Sequence, residues 1–195
     1  MSKPWVRDER SSFEDIDRQE GELAAWAKDN GKLMDVPAIQ DIRGRGYAKK
    51  EGNEHTVVFA PDGVYRFTNG DKYGMPYRTP AEYFDRWDKS NKLFPETAVG
   101  FVGFYQKTNG VGVIVTKQSF IKGKRGSADQ ISKAMKKCGF VPSGNHSFRH
   151  PDSGIELYDA YEDNVLFDRK GNIMPFDVWV NDPKGVLSES HAPPS

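Results

Sequence analysis

The chain has 195 residues, of which 36% are hydrophobic and 29% charged, and Lys plus Arg equal Asp plus Glu at 28 each. This length suits one domain with or without extensions, and the balanced charge argues against steering towards nucleic acid or an anionic membrane. The single cysteine, Cys138, excludes an internal disulfide and a multi-cysteine zinc site. The N-terminus lacks the apolar stretch of a signal peptide, and no run approaches the ~20 apolar residues of a membrane helix. We therefore expect a soluble, cytoplasmic protein with no membrane partner.

The first half of the chain contains two helix patterns separated by strand patterns. Apolar residues that include Ile16 and Trp26 predict a helix over residues 13–29. A glycine-rich, basic stretch follows, and then two β-favouring runs are joined by a turn at residues 61–63. A second helix is predicted from Pro80, because Thr79 and Glu82 form a capping-box pattern around it.

The second half adds strands and one more helix. Residues 99–105 and 111–117 are strand patterns, and Ser127 with Gln130 predicts another capped helix. Two hairpin-like segments complete the order, which is helix, strands with an inserted helix, helix, strands. This order indicates an α+β fold rather than a parallel α/β sheet.

The segment "DAYEDNVLFDRKGNIMPFD", residues 159–177, carries the most informative pattern. The apolar runs 165–167 and 173–176 predict a hairpin, which would bring Asn164 and Asp177 side by side at its open end. Amide and carboxylate oxygens suit a hard cation such as Mg²⁺, which takes its other ligands from water and phosphate. Asp159, in the loop before the hairpin, could accept a proton from a hydroxyl. The alternative is that these polar residues merely flank turns.

This pattern resembles the catalytic segment of protein kinases, in which an Asp is followed five positions later by an Asn and a second Asp follows a β-hairpin. More narrowly, "ELYDAYEDNVLFDRKGNIMPFD" is similar to kinase-like domains in polyvalent proteins of bacteriophages and other mobile elements. The resemblance extends from about Gly46 to Asp182. It implies a minimal, C-terminally truncated protein-kinase-like fold over 46–182, with a helical extension over 1–45 and a disordered tail over 183–195.

The resemblance also implies nucleotide-binding roles for upstream residues. Arg66 occupies the third-strand position at which kinases carry a phosphate-gripping lysine, and Gly52 belongs to a glycine-rich hairpin of irregular spacing. Glu54 could face the nucleotide, and Gln118 lies at the hinge that binds adenine. For Arg66 and Glu54 a solvated strand position is the alternative. Which acid on the second helix would pair with Arg66 stays open among three residues: Glu82, Asp85 and Asp88.

The resemblance predicts an ATP- and Mg²⁺-dependent phosphotransferase that phosphorylates a hydroxyl on an unknown protein. Asp159 would orient the acceptor, Asn164 and Asp177 would hold Mg²⁺, and Arg66 would steady the phosphates. The alternative is a catalytically inactive pseudokinase that binds a nucleotide or a partner. Residues 117–137 carry seven bases and one acid, but such runs are usually solvated faces, so the sequence argues against a nucleic-acid partner.

Overall fold

A computed structural model of the chain describes residues 13–69, 73 and 79–187. The helices in these ranges are α1 (Phe13–Asp29), α2 (Val36–Arg45), α3 (Pro80–Leu93) and α4 (Ala128–Lys137), with a short 3-10 helix at Pro95–Thr97. The strands are β1 (Ala48–Glu51), β2 (His55–Ala60), β3 (Gly63–Thr68), β4 (Val99–Gln106), β5 (Gly112–Gln118), β6 (Lys124–Arg125), β7 (Val141–Gly144), β8 (Ser147–Arg149), β9 (Glu156–Tyr158), β10 (Val165–Phe167), β11 (Ile173–Pro175) and β12 (Trp179–Asn181). This mixture of helices with antiparallel sheets is the α+β class that the sequence predicts.

The described residues divide into two compact units. The first contains the chain up to Phe84 together with residues 99–120, and the second contains residues 85–98 and those from Ile121 onwards. The first boundary between the two units along the chain therefore falls within α3. The last boundary falls just after Phe120, in the predicted hinge.

The first unit is built on a five-stranded antiparallel sheet in the order β1-β2-β3-β5-β4. The predicted hairpin is confirmed, because Ala60 pairs with Gly63 at the turn between β2 and β3. Gly63 has φ 146°, and a Cβ atom there would lie 2.7 Å from the carbonyl oxygen of Gln118. This position therefore needs glycine both for its backbone conformation and for the close approach of β5.

The two faces of this sheet carry different side chains. On one face Ile39 and Ile42 of α2 pack with a cluster that includes Tyr65 and Phe67 of β3. Because side chains alternate along a strand, Arg66 lies on the opposite face. Helix α2 was not predicted from the sequence; it begins with Asp35, whose carboxylate accepts a hydrogen bond from the Ala38 N–H at 2.9 Å.

Helix α1 makes polar contacts within the first unit. The Glu20 carboxylate accepts hydrogen bonds from the Gly112 N–H at 3.1 Å and from the Tyr73 hydroxyl. Ala27 is fully buried, whereas Trp26, predicted to share the buried face, is 49% exposed. Both α1 and α2 pack on the sheet. The predicted domain boundary at residue 45 stays a prediction. Residues 188–195 of the predicted tail lie outside the described residues.

The second unit contains two small sheets and helix α4. Their strand orders are β11-β10-β6 and β12-β9-β8-β7. The predicted capping box is confirmed at Ser127, whose hydroxyl accepts from the Gln130 N–H while the Gln130 side chain accepts from Ser127. Ile131 and Met135 of α4 pack into a core that also contains Leu157.

Asp62, in the turn between β2 and β3, makes the stability of the fold depend on pH. Its carboxylate accepts hydrogen bonds from Lys117 Nζ and from the Tyr65 hydroxyl, both at 2.7 Å. These two bonds lower the pKa of Asp62 to about 2, and the bond from Lys117 has the larger effect. Because the pKa of Asp in an unfolded chain is about 3.9, the stabilisation is complete above about pH 4 and is lost as the pH falls towards 2.

We therefore expect Asp62→Asn to lower the urea midpoint at pH 7, by an amount that shrinks as the pH falls from 4 to 2. Urea denaturation followed by tryptophan fluorescence measures this difference. Asp88→Asn, which removes an exposed carboxylate paired with Lys92 in α3, is the matched control and should change the midpoint less. A difference that stayed constant down to pH 2 would contradict a role for the Asp62 charge.

Candidate functional site

Two strand pairs bring the ends of the segment 159–177 together. In β9 and β12, Tyr158 pairs with Trp179, so the chain just before Asp159 lies beside the chain just after Asp177. Between them β10 and β11 form the predicted hairpin, with Val165 opposite Pro175. The pairing of β9 with β12 was not predicted. It adds a second, independent constraint on where Asp159 and Asp177 lie.

Asn164 is fixed by both its backbone and its side chain. Its carbonyl oxygen accepts a hydrogen bond from the Phe176 N–H at 3.0 Å, which extends the hairpin ladder to the residue before Asp177. Its side-chain Nδ2 donates to the carbonyl oxygen of Asp159 at 2.9 Å. This orientation of the amide follows from its hydrogen-bond partner, and it turns Oδ1 away from the Asp159 carbonyl. The structure therefore joins Asn164 directly to Asp159.

The backbone at Asp159 is in the left-handed region. Asp159 has φ 59° and His146 has φ 54°, and within the described ranges they are the non-glycine residues with positive φ. They are linked, because the N–H of Ala160 donates to the His146 carbonyl at 3.0 Å. The His146 ring also stacks on that of Tyr161 at 4.0 Å between centroids. Such sparsely populated conformations cluster at functional sites, where the surrounding contacts maintain them.

Asp177 is held by an arginine that sequence reasoning missed. Arg86 Nη2, from α3, donates to Asp177 Oδ1 at 3.0 Å. The guanidinium carbon lies 4.1 Å from the centroid of the Trp179 ring and 5.0 Å from that of Trp87. No local pattern could have revealed this contact, because it joins residues that are 91 positions apart.

The donor atoms at this position suit a hard cation. Asn164 Oδ1 and Asp177 could supply oxygen ligands, and Mg²⁺ commonly takes only one or two ligands from protein and the rest from water and phosphate. Groups of three or more His, Cys, Asp or Glu side chains suited to a metal do not occur in the described part of the chain. The residues thus fit a Mg²⁺ shared with a phosphate better than a cage made entirely of protein.

The predicted nucleotide residues lie in the first unit, and two of them are in contact. Arg66 Nη2 on β3 donates to Gln118 Oε1 at the end of β5, at 2.7 Å. Both side chains are buried, with exposed fractions of 6% and 3%. The pairing of β3 with β5 explains the contact, since Arg66 lies opposite Thr116, two residues before Gln118. Arg66 is therefore not the solvated strand residue that was the alternative.

Gly52 and Glu54 lie in the turn between β1 and β2. The N–H of Gly52 donates to the His55 carbonyl at 2.8 Å, and Asn69 Nδ2 donates to the Gly52 carbonyl at 2.6 Å. The Glu54 carbonyl accepts from the Asn69 N–H at 2.9 Å, while its side chain is partly exposed. Gly44 belongs to α2, so the glycine-rich hairpin consists of β1, this turn and β2.

The acids of α3 have local partners. Glu82 completes the predicted capping box, since its carboxylate accepts from the Thr79 N–H at 3.1 Å. Asp85 and Asp88 form ion pairs with lysines one helical turn further on, at 2.6 and 2.7 Å. These exposed pairs account for Asp85 and Asp88 without a role at Arg66.

The basic segment 117–137 is partly neutralised. Lys117 pairs with Asp62 at 2.7 Å, and Arg125 pairs with Asp163. Helices long and apolar enough to span a bilayer are absent from the described residues.

Comparison with known families gives a match to the family described as "Serine/Threonine/Tyrosine Kinase found in polyvalent proteins", over residues 17–180. Comparison with curated proteins and with solved structures gave no significant match. The match covers more than four fifths of the chain. It includes the strand pairs around Asp159, Asn164 and Asp177 and the sheet that carries Arg66. The resemblance predicted from the residue pattern is confirmed, and the chain belongs to this family of kinases found in polyvalent proteins.

Proposed function

We propose that this chain transfers the γ-phosphoryl group of ATP, in a Mg²⁺-dependent reaction, to a hydroxyl group on a protein. The observation that supports the proposal is the pairing of the chain segments next to Asp159, Asn164 and Asp177. Two strand pairs and the hydrogen bond from Asn164 Nδ2 to the Asp159 carbonyl support it. An ATP-consuming reaction also agrees with the cytoplasmic location expected from the sequence.

Asp159 would act on the acceptor. A new bond forms between the acceptor oxygen and the γ-phosphorus, while the bond from phosphorus to the β,γ-bridging oxygen breaks and its electrons leave with ADP. The acceptor proton passes to the Asp159 carboxylate, which is exposed and therefore accessible to a hydroxyl. The hydrogen bonds around Asp159 would supply the positioning on which phosphoryl transfer mostly depends.

Asn164 and Asp177 would hold Mg²⁺, which when bound neutralises charge on the phosphate oxygens. The first unit would bind ATP: Arg66 near the phosphates, Gly52 and Glu54 in the covering hairpin, and Gln118 at the start of the hinge. The Gln118 amide that accepts a hydrogen bond from Arg66 is itself neutral, so this contact is compatible with phosphate binding.

The second candidate is a pseudokinase that binds a nucleotide or a partner protein without transfer. The observation in its favour is that Arg66 replaces the usual lysine and is 6% exposed and bonded to Gln118. Thermal shift and calorimetry with ATP, ADP and Mg²⁺, followed by a transfer assay, separate the two candidates. Nucleotide binding without measurable transfer would favour the pseudokinase, and absence of nucleotide binding would contradict both nucleotide-dependent functions.

The first prediction separates the metal ligand from the base. Asp177→Asn should weaken Mg²⁺-dependent ADP binding at least about tenfold, because it removes a charged oxygen ligand. Asp159→Asn should leave binding unchanged and lower transfer by about 10²–10⁴-fold, because a base acts mainly in the transition state. Calorimetry and a transfer assay measure the two effects. If both variants bind and react like the wild-type protein, the assigned roles are wrong.

The second prediction concerns the geometry at Arg66. Arg66→Lys should lower transfer by about 10–100-fold, because a compact ammonium group cannot reproduce the forked contacts of the guanidinium and small displacements of charge are costly. Initial rates at saturating ATP measure this effect. Faster transfer by the variant would instead identify the site as a degraded kinase. If neither protein transfers phosphate although both bind Mg²⁺ and ATP, the pseudokinase is the correct function.

The third prediction uses the left-handed backbone of Asp159. At most positions Gly is less stable than Ala, but here Asp159→Ala should be less stable than Asp159→Gly by about 1 kcal/mol, because only glycine adopts this conformation without strain. Both variants should lose transfer equally. Urea denaturation and the transfer assay test the two statements separately. The opposite order of stability would show that the backbone is not constrained at Asp159.

A further inference from the structure

Arg86 forms a fixed positive charge beside Asp177. The Arg86 side chain is 3% exposed, whereas that of Asp177 is 41% exposed. Its guanidinium lies close to the Trp179 ring and donates to Oδ1 of Asp177 at 3.0 Å. A buried guanidinium that left this position would have to find another partner or enter water, so the contact is strongly constrained.

This contact makes the two carboxylate oxygens of Asp177 unequal. Oδ1 accepts the hydrogen bond from Arg86, whereas no hydrogen bond to Oδ2 is found within the described ranges. A cation bound through Oδ2 alone would stay on the side of the carboxylate that faces away from Arg86. A cation chelated by both oxygens would have to approach Oδ1, and therefore the guanidinium, where like charges repel.

We propose that Arg86 makes Asp177 a one-oxygen ligand and thereby favours Mg²⁺ over Ca²⁺; this inference rests on the proposed role of Asp177 as a metal ligand. Mg²⁺ prefers octahedral coordination at 2.0–2.1 Å, with few protein ligands and retained water. Ca²⁺ takes six to eight oxygens at 2.3–2.6 Å and often binds a carboxylate through both oxygens. Blocking the second oxygen therefore penalises Ca²⁺ more than Mg²⁺. Arg86 is a positioning residue, since it acts through Asp177.

The test compares the affinities of the ADP-bound protein for Mg²⁺ and Ca²⁺. The measured quantity is the ratio of the Ca²⁺ dissociation constant to the Mg²⁺ dissociation constant, obtained by calorimetry under identical ADP concentrations. Binding of either ion to free ADP is the same for every variant. A change in this ratio therefore reflects a change in how the protein itself binds the two ions. Arg86→Gln keeps a hydrogen-bond donor and removes the charge, and it should lower the ratio by about 3–10-fold.

Two further variants define what the charge does. Arg86→Lys keeps a positive charge and should retain the wild-type ratio. If lost packing rather than lost charge lowered the ratio, Arg86→Lys would lower it as much as Arg86→Gln does. Arg125→Gln is the matched control, because Arg125 pairs with Asp163 at an exposed position of the same unit and should leave the ratio unchanged. An unchanged ratio in Arg86→Gln would overturn the inference.

Failure of this inference can be distinguished from failure of the proposed function. If Asp177→Asn leaves Mg²⁺ affinity unchanged, Asp177 is not a ligand and the proposed function itself is wrong. If Arg86→Gln does not fold, a crystal structure of the wild-type protein with Mg²⁺ and ADP decides the question. The ion should then lie about 2.0–2.1 Å from Oδ2 alone, and contact with both oxygens within about 2.6 Å would overturn the inference.

Discussion

The pairing of β9 with β12 is the constraint on which the candidate site of the second unit depends. Tyr158 lies opposite Trp179, and Leu157, which is fully buried, lies opposite Val180. A slip of one residue would move every side chain of a strand to the other face and expose Leu157. Burial of Leu157 therefore stabilises the register of β9 with β12. This register places the residues just before Asp159 beside those just after Asp177. The apolar core and the polar site are two consequences of one pairing.

Arg86 shows how the same core also sets the charges at the site. Placing a guanidinium among aromatic rings removes it from water, which is costly unless a carboxylate and the ring faces compensate. Asp177 supplies the carboxylate, and the rings of Trp87 and Trp179 lie 5.0 and 4.1 Å from the guanidinium carbon. The protein thus holds a cation and an anion in place before any ligand binds. Preorganised charge of this kind is what phosphoryl transfer needs from a protein that contributes little covalent chemistry.

The sequence predicted the features that depend on local signals. Capping residues located α3 and α4, the turn at residues 61–63 located a hairpin, and the spacing of Asp159, Asn164 and Asp177 revealed the family. It did not predict α2, which lies in a glycine-rich stretch that resembles a loop. The buried face of α1 was partly wrong, because Ala27 rather than Trp26 packs inwards. The pairing of β9 with β12 and the contact of Arg86 with Asp177 were also missed, since both depend on packing between distant segments and leave no local pattern.

Arg66 illustrates the difference between recognising a family and deriving a mechanism. Its position on β3 follows from sequence alone, but its contact with Gln118 follows from the pairing of β3 with β5. A carboxylate partner would cancel part of the charge of a guanidinium, whereas an amide oxygen orients it and leaves the charge intact. The contact with Gln118 is with a neutral side chain, so it adds no negative charge beside the position proposed to bind phosphate. Transfer needs in addition a group that receives the acceptor proton in the transition state, the role proposed for Asp159, and this second requirement separates a kinase from a protein that only binds nucleotide.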